Sequence, residues 1–357
     1  MKRISAFILL LVILMFLFCG CSDDNIISSS GKSNSSIADI SSDLQSTVPD
    51  DKEKNNGVSM SGGFNYSYSE TTPLEYNGED IVMHVRMNIS NSTDTDMGVY
   101  LNVQGYFLPF SMQEYSDENF KEPLSDESKS EIYHQLNFNR ACCEENKNRY
   151  FSVKFNPDMF EKGSVVYPDV VCSVNNTYLP EIDGSVNISA SNIFGIYPPT
   201  LKINCDAKQK YKTCKKYDTK PMMSQNADEY ENENVKAEIF KNGDESFQYL
   251  VKAKKGEPLK LTARVHNVYS EYLKYDTQKT VICVLVNDKP YAVFDGSEYL
   301  EIDVEQNTYY TYDFELDSND LNEMNKVQIY ACQLKGTEQN PYNTIAISTP
   351  LYVQVEE

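Results

Sequence analysis

The 357-residue chain has no tryptophan and only three histidines. It also lacks the short motifs of common enzyme families: G-x-S-x-G, H-E-x-x-H, G-x-x-x-x-G-K-[ST] and G-x-G-x-x-G are all absent. Two of the histidines, His84 and His266, fall on the outward register of predicted strands, where a solvated imidazole is expected. The sequence therefore predicts no catalytic residue, no metal site and no cofactor.

Basic side chains are scarce relative to acidic ones, with 32 Lys and Arg against 53 Asp and Glu and a formal net charge of −21. A chain of this charge repels polyanions and anionic lipid surfaces. We therefore expect no nucleic-acid partner. The acidic excess is typical of a surface that keeps a protein soluble.

Long apolar runs are absent except at the N-terminus, where Lys2 and Arg3 precede twelve apolar residues at 7–18 and Gly20-Cys21 follows. A helix that spans a bilayer needs ~20 apolar residues, so this run is too short. Residues 1–20 resemble the signal peptide of a bacterial lipoprotein. The resemblance implies that Cys21 becomes the acylated N-terminus, which anchors the protein in the cell membrane on the extracellular side.

The cysteines do not form a recognisable framework. Once Cys19 is removed with the signal peptide and Cys21 carries the lipid, seven remain at irregular spacing, and no C-x-x-C pair occurs. Neither a zinc knuckle nor a thioredoxin-like dithiol is indicated. We expect several free thiols, with Cys205 and Cys214 as the pair that forms if any does.

Aromatic residues are absent between Cys21 and Phe64, where Ser, Asn, Asp, Gly and Lys dominate. Such a segment cannot bury enough apolar surface to offset the entropy lost on ordering. The composition therefore predicts a disordered tether over 21–63. As a coil, it has a root-mean-square reach on the order of 35 Å.

Beyond the tether, the chain repeats itself. Residues 81–89 and 259–266 each follow a Gly-Glu pair, and both alternate apolar and polar side chains with the period of a strand. Four further blocks match in the same order, namely 99–103 with 281–286, 106–110 with 291–294, 151–155 with 310–314, and 199–203 with 350–355. Turns at Gln104-Gly105 and Asn287-Asp288 predict a hairpin in each copy.

About seven short strands per copy, separated by turns, are typical of a two-sheet sandwich. Tyr330 stands two residues before Cys332, which resembles the tyrosine corner of immunoglobulin domains. The fold prediction is all-β, with two tandem immunoglobulin-like β-sandwiches over 64–205 and 236–357. The chain has no strand-B cysteine and no tryptophan, so the resemblance implies no antibody-like disulfide.

The two copies differ most at 111–148, because the corresponding segment of the second copy, 295–307, has only 13 residues. Long insertions on a sandwich tend to add specificity. The insertion 111–148 is therefore the best candidate for a functional surface. A partly ordered surface loop is the simpler interpretation.

Three features within this insertion suggest local structure or chemistry. Ser128 lies three residues before Glu131, which resembles a capping box at the start of a short helix. His134 and the vicinal pair Cys142-Cys143 are suitable ligands for a soft metal or a redox site. Three such groups at irregular spacing make only a weak prediction.

The segment between the two copies, 206–235, is polarised, with lysines followed by acidic residues from 228 to 233. A solvated charged linker is expected there, and the alternative is docking of the basic run to an anionic wall polymer or to the protein's own acidic faces. Tyr269, Tyr272 and Tyr275 crowd one predicted loop of the second copy. Exposed tyrosine is a good contact residue for proteins and sugars.

Together, these patterns predict a non-catalytic, lipid-anchored surface protein of a Gram-positive bacterium. Its expected role is that of a binding or spacer module for an extracellular protein or glycan, held at the membrane by its N-terminal lipid. Two alternatives stay open. A hydrolase acting on cell wall or glycan needs convergent carboxylates beside a deep pocket, and the solute-binding lipoprotein of a transporter shows alternating strands and helices.

Overall fold

The computed structural model describes residues 58–59, 64–70, 72–90, 95–174, 198–208, 213–215, 217, 220–223, 235–243, 248–267, 277–305, 308–334 and 344–357. The predicted signal peptide, Cys21 and the tyrosines at 269, 272 and 275 lie outside these ranges. The described part falls into a first half (58–208) and a second half (213–357).

The described part is almost entirely β-structure. The strands of the first half are β1 Val58–Ser59, β2 Phe64–Tyr68, β3 Leu74–Tyr76, β4 Ile81–Ile89, β5 Thr95–Val103, β6 Tyr106–Leu108, β7 Phe110–Tyr115, β8 Tyr133–Phe138, β9 Arg149–Phe155, β10 Val165–Val166, β11 Pro168–Val174 and β12 Leu201–Ile203. Those of the second half are β13 Thr213–Cys214, β14 Lys220–Met223, β15 Val235–Lys241, β16 Leu250–Lys254, β17 Leu259–Asn267, β18 Thr277–Val286, β19 Lys289–Tyr291, β20 Tyr299–Glu305, β21 Thr308–Leu316, β22 Met324–Gln333, β23 Thr344–Ile347 and β24 Leu351–Glu356. The all-β prediction is confirmed.

One short helix, α1 Arg140–Glu144, interrupts the strands, and its N-cap Asn139 accepts a hydrogen bond from the Cys142 backbone N–H at 2.9 Å. Within the described ranges, no helix is both long and apolar enough to cross a membrane.

The predicted alternation places side chains as expected. In β4, Met83, Val85 and Met87 are fully buried, while the intervening residues are partly or fully exposed. The two predicted hairpins are also confirmed, since β5 pairs with β6 and β18 pairs with β19. Both hairpins turn through two residues of positive φ, which gives the twist that short hairpins need.

The first half is a sandwich of sheets around one core. Its outer layer is the sheet β1-β2-β4-β9-β7, and its inner layer contains β11-β5-β6, with β8 also paired to β5, and the three-stranded sheet β10-β12-β3. Side chains from both layers, including Met83, Leu108 and Phe151, pack together in the first core.

The second half is built in the same way. Its outer layer is β14-β21-β17-β15, and its inner layer is an eight-stranded sheet whose main path is β13-β20-β18-β22-β24-β16. Leu261, Ile282 and Ile329 lie in the second core between these layers.

The same strand pairings recur in the two halves. In the outer layers, β2-β4-β9 corresponds to β15-β17-β21, and in the inner layers β5-β11 corresponds to β18-β22. Even the parallel pair β3-β12 has a counterpart in the parallel pair β16-β24. These correspondences support the sequence repeat, whereas the independence of two domains stays a prediction.

A third buried cluster, the junction, joins the inner layers of the two halves. From the first half it contains Tyr100, Phe107 and Val171, and from the second half Val281, Cys283, Leu285, Tyr299, Tyr330 and Cys332. The inner sheets are therefore buried on both faces, and the halves stack as four β-layers. Burial on both faces explains why the central strand β18 is apolar at consecutive positions rather than alternating.

The junction is closely packed and hydrogen-bonded. A Cβ atom placed on Gly105 would lie 2.5 Å from the Cβ of Val281, so only a glycine fits against that valine. The Tyr299 hydroxyl accepts a hydrogen bond from the Phe107 backbone N–H at 3.2 Å. The Tyr100 hydroxyl donates to Asp288 at 3.0 Å.

Two segments expected to be disordered or solvated contain strands. Strand β1 lies within the predicted tether 21–63 and pairs with β2, so the tether prediction is wrong at its C-terminal end. The predicted linker 206–235 contributes β13, which belongs to the inner layer of the second half, and β14, which belongs to its outer layer. Cys214 is buried there and Tyr217 packs against Phe294, with ring centroids 5.3 Å apart. The interpretation of this part as a solvated linker is therefore wrong.

The insertion 111–148 is also more ordered than a surface loop. Most of β7 and all of β8 and α1 lie within it, and Met112, Phe138 and Cys143 are buried in the first core. The helix expected after Ser128 is wrong, because the stretch that would follow it forms β8 and pairs with β5. Leu136 and Phe138 of this stretch pack against the first core from a strand instead.

The suggested cysteine pair does not form. All seven cysteines beyond Cys21 are free. Cys205 packs against the first core, whereas Cys214 lies in the second core, so the two thiols belong to different halves.

Two single-residue expectations are also corrected. Tyr330 faces the junction, where its hydroxyl lies beside the Cys332 thiol, whereas the hydroxyl of a tyrosine corner bonds to the backbone. His266 is not solvated, since it is 8% exposed and lies 3.0 Å from Glu238.

A candidate binding cleft in the first half

A cleft of about 510 Å³ opens where the insertion meets the end of the outer sheet. It is lined by Asp80, Leu108, Pro109, Ser111, Glu127, Ser128, Ser130, Lys154, Phe155, Asn156, Asp158 and Met159. Four of these residues belong to the insertion 111–148. The remainder come from the start of β4, the β6 to β7 connection, and the end of β9 with the turn that follows it.

The insertion forms one wall of the cleft by covering the edge of β7. The backbone N–H of Ser128 donates to the carbonyl of Met112, and the Ser128 hydroxyl accepts from the Met112 N–H, both at 2.8 Å. Further along, Phe110 and Glu131 exchange two backbone hydrogen bonds at 3.0 Å. This wall therefore protects a sheet edge that would otherwise be open to pairing with another chain.

A hydrogen-bonded cluster of Ser111, Glu127 and Lys154 connects the insertion to β9 across the cleft. The Ser111 hydroxyl donates to Glu127 at 2.6 Å, and the Lys154 ammonium donates to the same carboxylate oxygen at 3.2 Å. The hydrogen bond from Ser111, followed by that from Lys154, lowers the pKa of Glu127. Glu127 is therefore an ionised acceptor at neutral pH.

Asn156 holds the opposite wall in place. Its amide N–H donates to Asp80 at 2.9 Å, while its oxygen accepts from the Tyr76 hydroxyl at 2.9 Å and from the Asp158 backbone N–H at 3.1 Å. These bonds fix the turn after β9 and leave the Asp158 side chain at the cleft. The cleft thus presents carboxylates, hydroxyls and one ammonium group beside apolar side chains such as those of Leu108 and Met159.

The pKa of Glu127 does not match that of a glycosidase proton donor. A glycosidase needs a carboxyl group whose raised pKa lets it donate a proton, and the pKa of Glu127 is shifted in the opposite direction. Among the residues that line the cleft there is no histidine or cysteine. Carboxylates and hydroxyls next to apolar side chains can bind the polar and apolar faces of a sugar or peptide.

The insertion is anchored to the outer sheet by a second cluster. The Phe120 ring lies 4.2 Å from the His84 imidazole, whose Nδ1 is 3.0 Å from Glu70. Phe120 has a φ of +51°, a conformation that L-residues rarely adopt. Arg149 adds two hydrogen bonds to Glu114, each at 2.7 Å. His84 is therefore partly covered rather than freely solvated.

The soft-metal site suggested by His134 and Cys142-Cys143 is not formed. The His134 imidazole lies 2.6 Å from the Phe110 carbonyl, and the Cys143 thiol is buried 3.5 Å from the Phe138 carbonyl. Across the described ranges, no group of three or more His, Cys, Asp or Glu side chains could hold a metal ion. Burial raises the pKa of the Cys142 thiol, which makes it less reactive.

The sequence did not point to Asp169, which is only 3% exposed at the junction. The Tyr68 hydroxyl donates to it at 2.8 Å and accepts from the Val170 backbone N–H at 2.6 Å. Burial raises the pKa of Asp169 to about 7, although the Tyr68 hydrogen bond opposes this shift. An aspartate beside Val170 and Val171 was the available signal, but the burial of this segment on both faces was not evident.

No family model and no curated protein matches the sequence. Among solved structures, a transglutaminase of red sea bream is similar over 82% of this chain at 8% identity and a TM-score of 0.21, and this chain spans 31% of its length. A protein of unknown function from Porphyromonas gingivalis is similar over 81% of this chain and 100% of its own, at 10% identity and a TM-score of 0.20. A chain named BspA_C_mut is similar over 83% of this chain and 99% of its own, at 9% identity and a TM-score of 0.21. Scores this low carry no argument about function.

Proposed function

We propose that the protein is a non-catalytic, lipid-anchored module of the bacterial cell surface, which binds an extracellular protein or glycan and holds it away from the membrane. The junction is the observation that supports this role. Loosely coupled domains meet through small, polar interfaces. Here two β-sheets bury apolar faces against each other, with a glycine fitted against a valine and hydrogen bonds across the contact.

A rigid body is an advantage for a spacer, because a fixed geometry holds a bound partner at a fixed distance and orientation. The anchor rests on the signal-peptide resemblance, with Cys21 as the acylated residue, and that part of the chain lies outside the described ranges. The polar composition before residue 58 predicts a compliant tether, which suits a rigid head held near a membrane.

The cleft beside the insertion is the proposed binding surface. It presents the carboxylate of Glu127, the ammonium group of Lys154 and the side chain of Asp158 around an opening large enough for one or two sugar rings or a short peptide segment. The insertion supplies one wall and also covers a strand edge, so binding and folding share the same segment. Replacing the whole insertion is therefore a poor test of binding.

Single substitutions test the cleft without removing the insertion. The exposed Ser130 lines the cleft, and an arginine there would project bulk and charge into the opening. Ser116 is exposed on the same insertion but is not among the residues that line the cleft, so Ser116→Arg is the matched control.

A glycan array and a pull-down from an extracellular fraction, both with residues 58–357, would first identify a partner. Ser130→Arg should then weaken binding by at least tenfold, which is about 1.4 kcal/mol, while Ser116→Arg binds normally. Equal affinities for the wild type and Ser130→Arg would place the binding surface elsewhere. Turnover of the partner by the wild-type protein would contradict the non-catalytic assignment.

A further inference from the structure

The junction contains a carboxyl group among apolar and weakly polar neighbours. Asp169 and Asn102 are paired across β11 and β5. Tyr330 and Cys332 of β22 lie on the opposite side of the junction. On β11, Val170 packs into the first core and Val171 into the junction, so Asp169 lies on the same face as Val171, toward the second half.

This environment provides little to stabilise a carboxylate. The Tyr68 hydroxyl is the side-chain hydrogen-bond partner of Asp169. No basic side chain of the described part forms an ion pair with Asp169. The other titratable groups near Asp169 are the thiols of Cys172 and Cys332 and the phenols of Tyr68 and Tyr330. All of them are neutral when protonated, so none offsets a negative charge at neutral pH.

We propose that Asp169 is a proton-operated latch between the two halves, uncharged while they are stacked and ionised when they separate. A buried carboxylate without a cationic partner is costly, whereas a neutral carboxyl group retains its hydrogen bond and loses little on burial. Water reaches Asp169 once the second half moves away, and the ionised form is then favoured.

The direction of the pH effect follows from proton linkage. The closed junction holds the proton with a pKa of about 7, above the ordinary aspartate value of 3.8 that applies when the junction is open. The closed state therefore binds more protons between these two values, and its stability falls as the pH rises from about 4 to about 7. Above that range the effect is constant. Acidification favours stacking, and mildly alkaline conditions favour opening.

Two buried thiols report on opening. Cys283 and Cys332 lie in the junction, whereas Cys143 is buried in the first core away from it. Thiol labelling of the full chain, resolved by mass spectrometry of the separate peptides, gives at each position a rate that is proportional to the population in which that thiol is exposed. The Asp169→Asn variant keeps the shape of the side chain and removes its charge. Dividing the wild-type rate by the variant rate at each pH cancels the intrinsic pH dependence of thiol chemistry.

For Cys283 and Cys332, this ratio should rise by about tenfold or more between pH 5 and pH 8. For Cys143 it should stay constant, because opening of the junction leaves the first core intact. A ratio at Cys332 that does not change with pH would overturn the latch. An equal change at Cys143 would also overturn it, because that result describes global unfolding.

If Asp169→Asn does not fold, the wild-type carboxyl group can be titrated directly by carbon NMR on a chain labelled at the aspartate side-chain carboxyl carbon. An Asp169 signal that titrates between about pH 6 and 8 supports the latch. Titration within one unit of the ordinary aspartate value would overturn it.

Discussion

Gly105 gives the sharpest test of how closely the two halves are packed. It occupies the β5 to β6 turn with a φ of +88°, and a Cβ atom there would lie 2.5 Å from the Cβ and 2.8 Å from the Cγ2 of Val281. Gly163 has the same φ of +88°, but a Cβ atom placed on it would meet nothing within 4 Å. The two glycines therefore separate backbone strain from contact across the junction.

The expected costs differ because only one substitution adds a clash. An alanine at positive φ costs about 1–2 kcal/mol, and this strain applies to both Gly105→Ala and Gly163→Ala. Forcing an extra methyl group into a packed interface adds about 1–3 kcal/mol. We therefore expect Gly163→Ala to lower the free energy of unfolding by about 1–2 kcal/mol and Gly105→Ala to lower it by about 2–5 kcal/mol.

Urea unfolding of residues 58–357, followed by circular dichroism and by tyrosine fluorescence, measures both variants against the wild type. An unchanged slope with a shifted midpoint would show that stability alone has changed. Equal losses for the two variants would contradict close packing at the junction, because the methyl group at position 105 would then meet no resistance from the second half.

Three further predictions follow from other parts of the chain. Cys21→Ala should abolish incorporation of labelled fatty acid and release the protein from the membrane fraction, and continued labelling of the mutant would contradict the lipid anchor. Asp169→Asn should be more stable than the wild type by up to about 4 kcal/mol at pH 8 and should lose this advantage at pH 4. The reason is that the raised pKa of Asp169 destabilises the folded wild type only when the pH is above the pKa of this group in the unfolded chain. Urea unfolding at both pH values measures the difference, and a difference that does not change with pH would count against the prediction. Phe138→Ala should lower the free energy of unfolding by about 3–5 kcal/mol, because this ring of the insertion is fully buried in the first core. A loss below about 1 kcal/mol would instead indicate that the insertion is a surface loop.

Local patterns were sufficient to predict both hairpins and several of the strands. Alternation at 81–89 and 259–266 identified β4 and β17 with their core faces correctly assigned, because each strand has one buried and one exposed face. The two-residue turns at 104–105 and 287–288 were recognisable because few residues tolerate positive φ. These features depend only on neighbours in the sequence.

The junction was missed because it depends on contacts between distant segments. The continuous apolar run from Val281 to Val286 was a usable signal, since a strand of this kind is buried on both faces. Phe155 precedes Cys172 by 17 residues, but Phe314 precedes Cys332 by 18. Because adjacent side chains of a strand face opposite ways, this one-residue difference sends Cys172 to the first core and Cys332 to the junction.

The cleft was only partly predictable. The difference in length between the two copies pointed to the insertion, four of whose residues line the cleft. The contributions of Asp80, Asn156 and Asp158 could not be found from sequence, because they depend on how the end of β9 meets the start of β4. The edge covered by the insertion likewise becomes apparent only when β7 is placed at the border of its sheet.

Calorimetric unfolding of residues 58–357 at pH 5, where the closed junction is favoured, tests most directly whether the junction makes the two halves one cooperative body. We expect a single transition whose calorimetric and van't Hoff enthalpies agree, because neither half can unfold without exposing the apolar face of the other. Two separable transitions, with the second matching the unfolding of residues 213–357 expressed alone, would contradict this expectation.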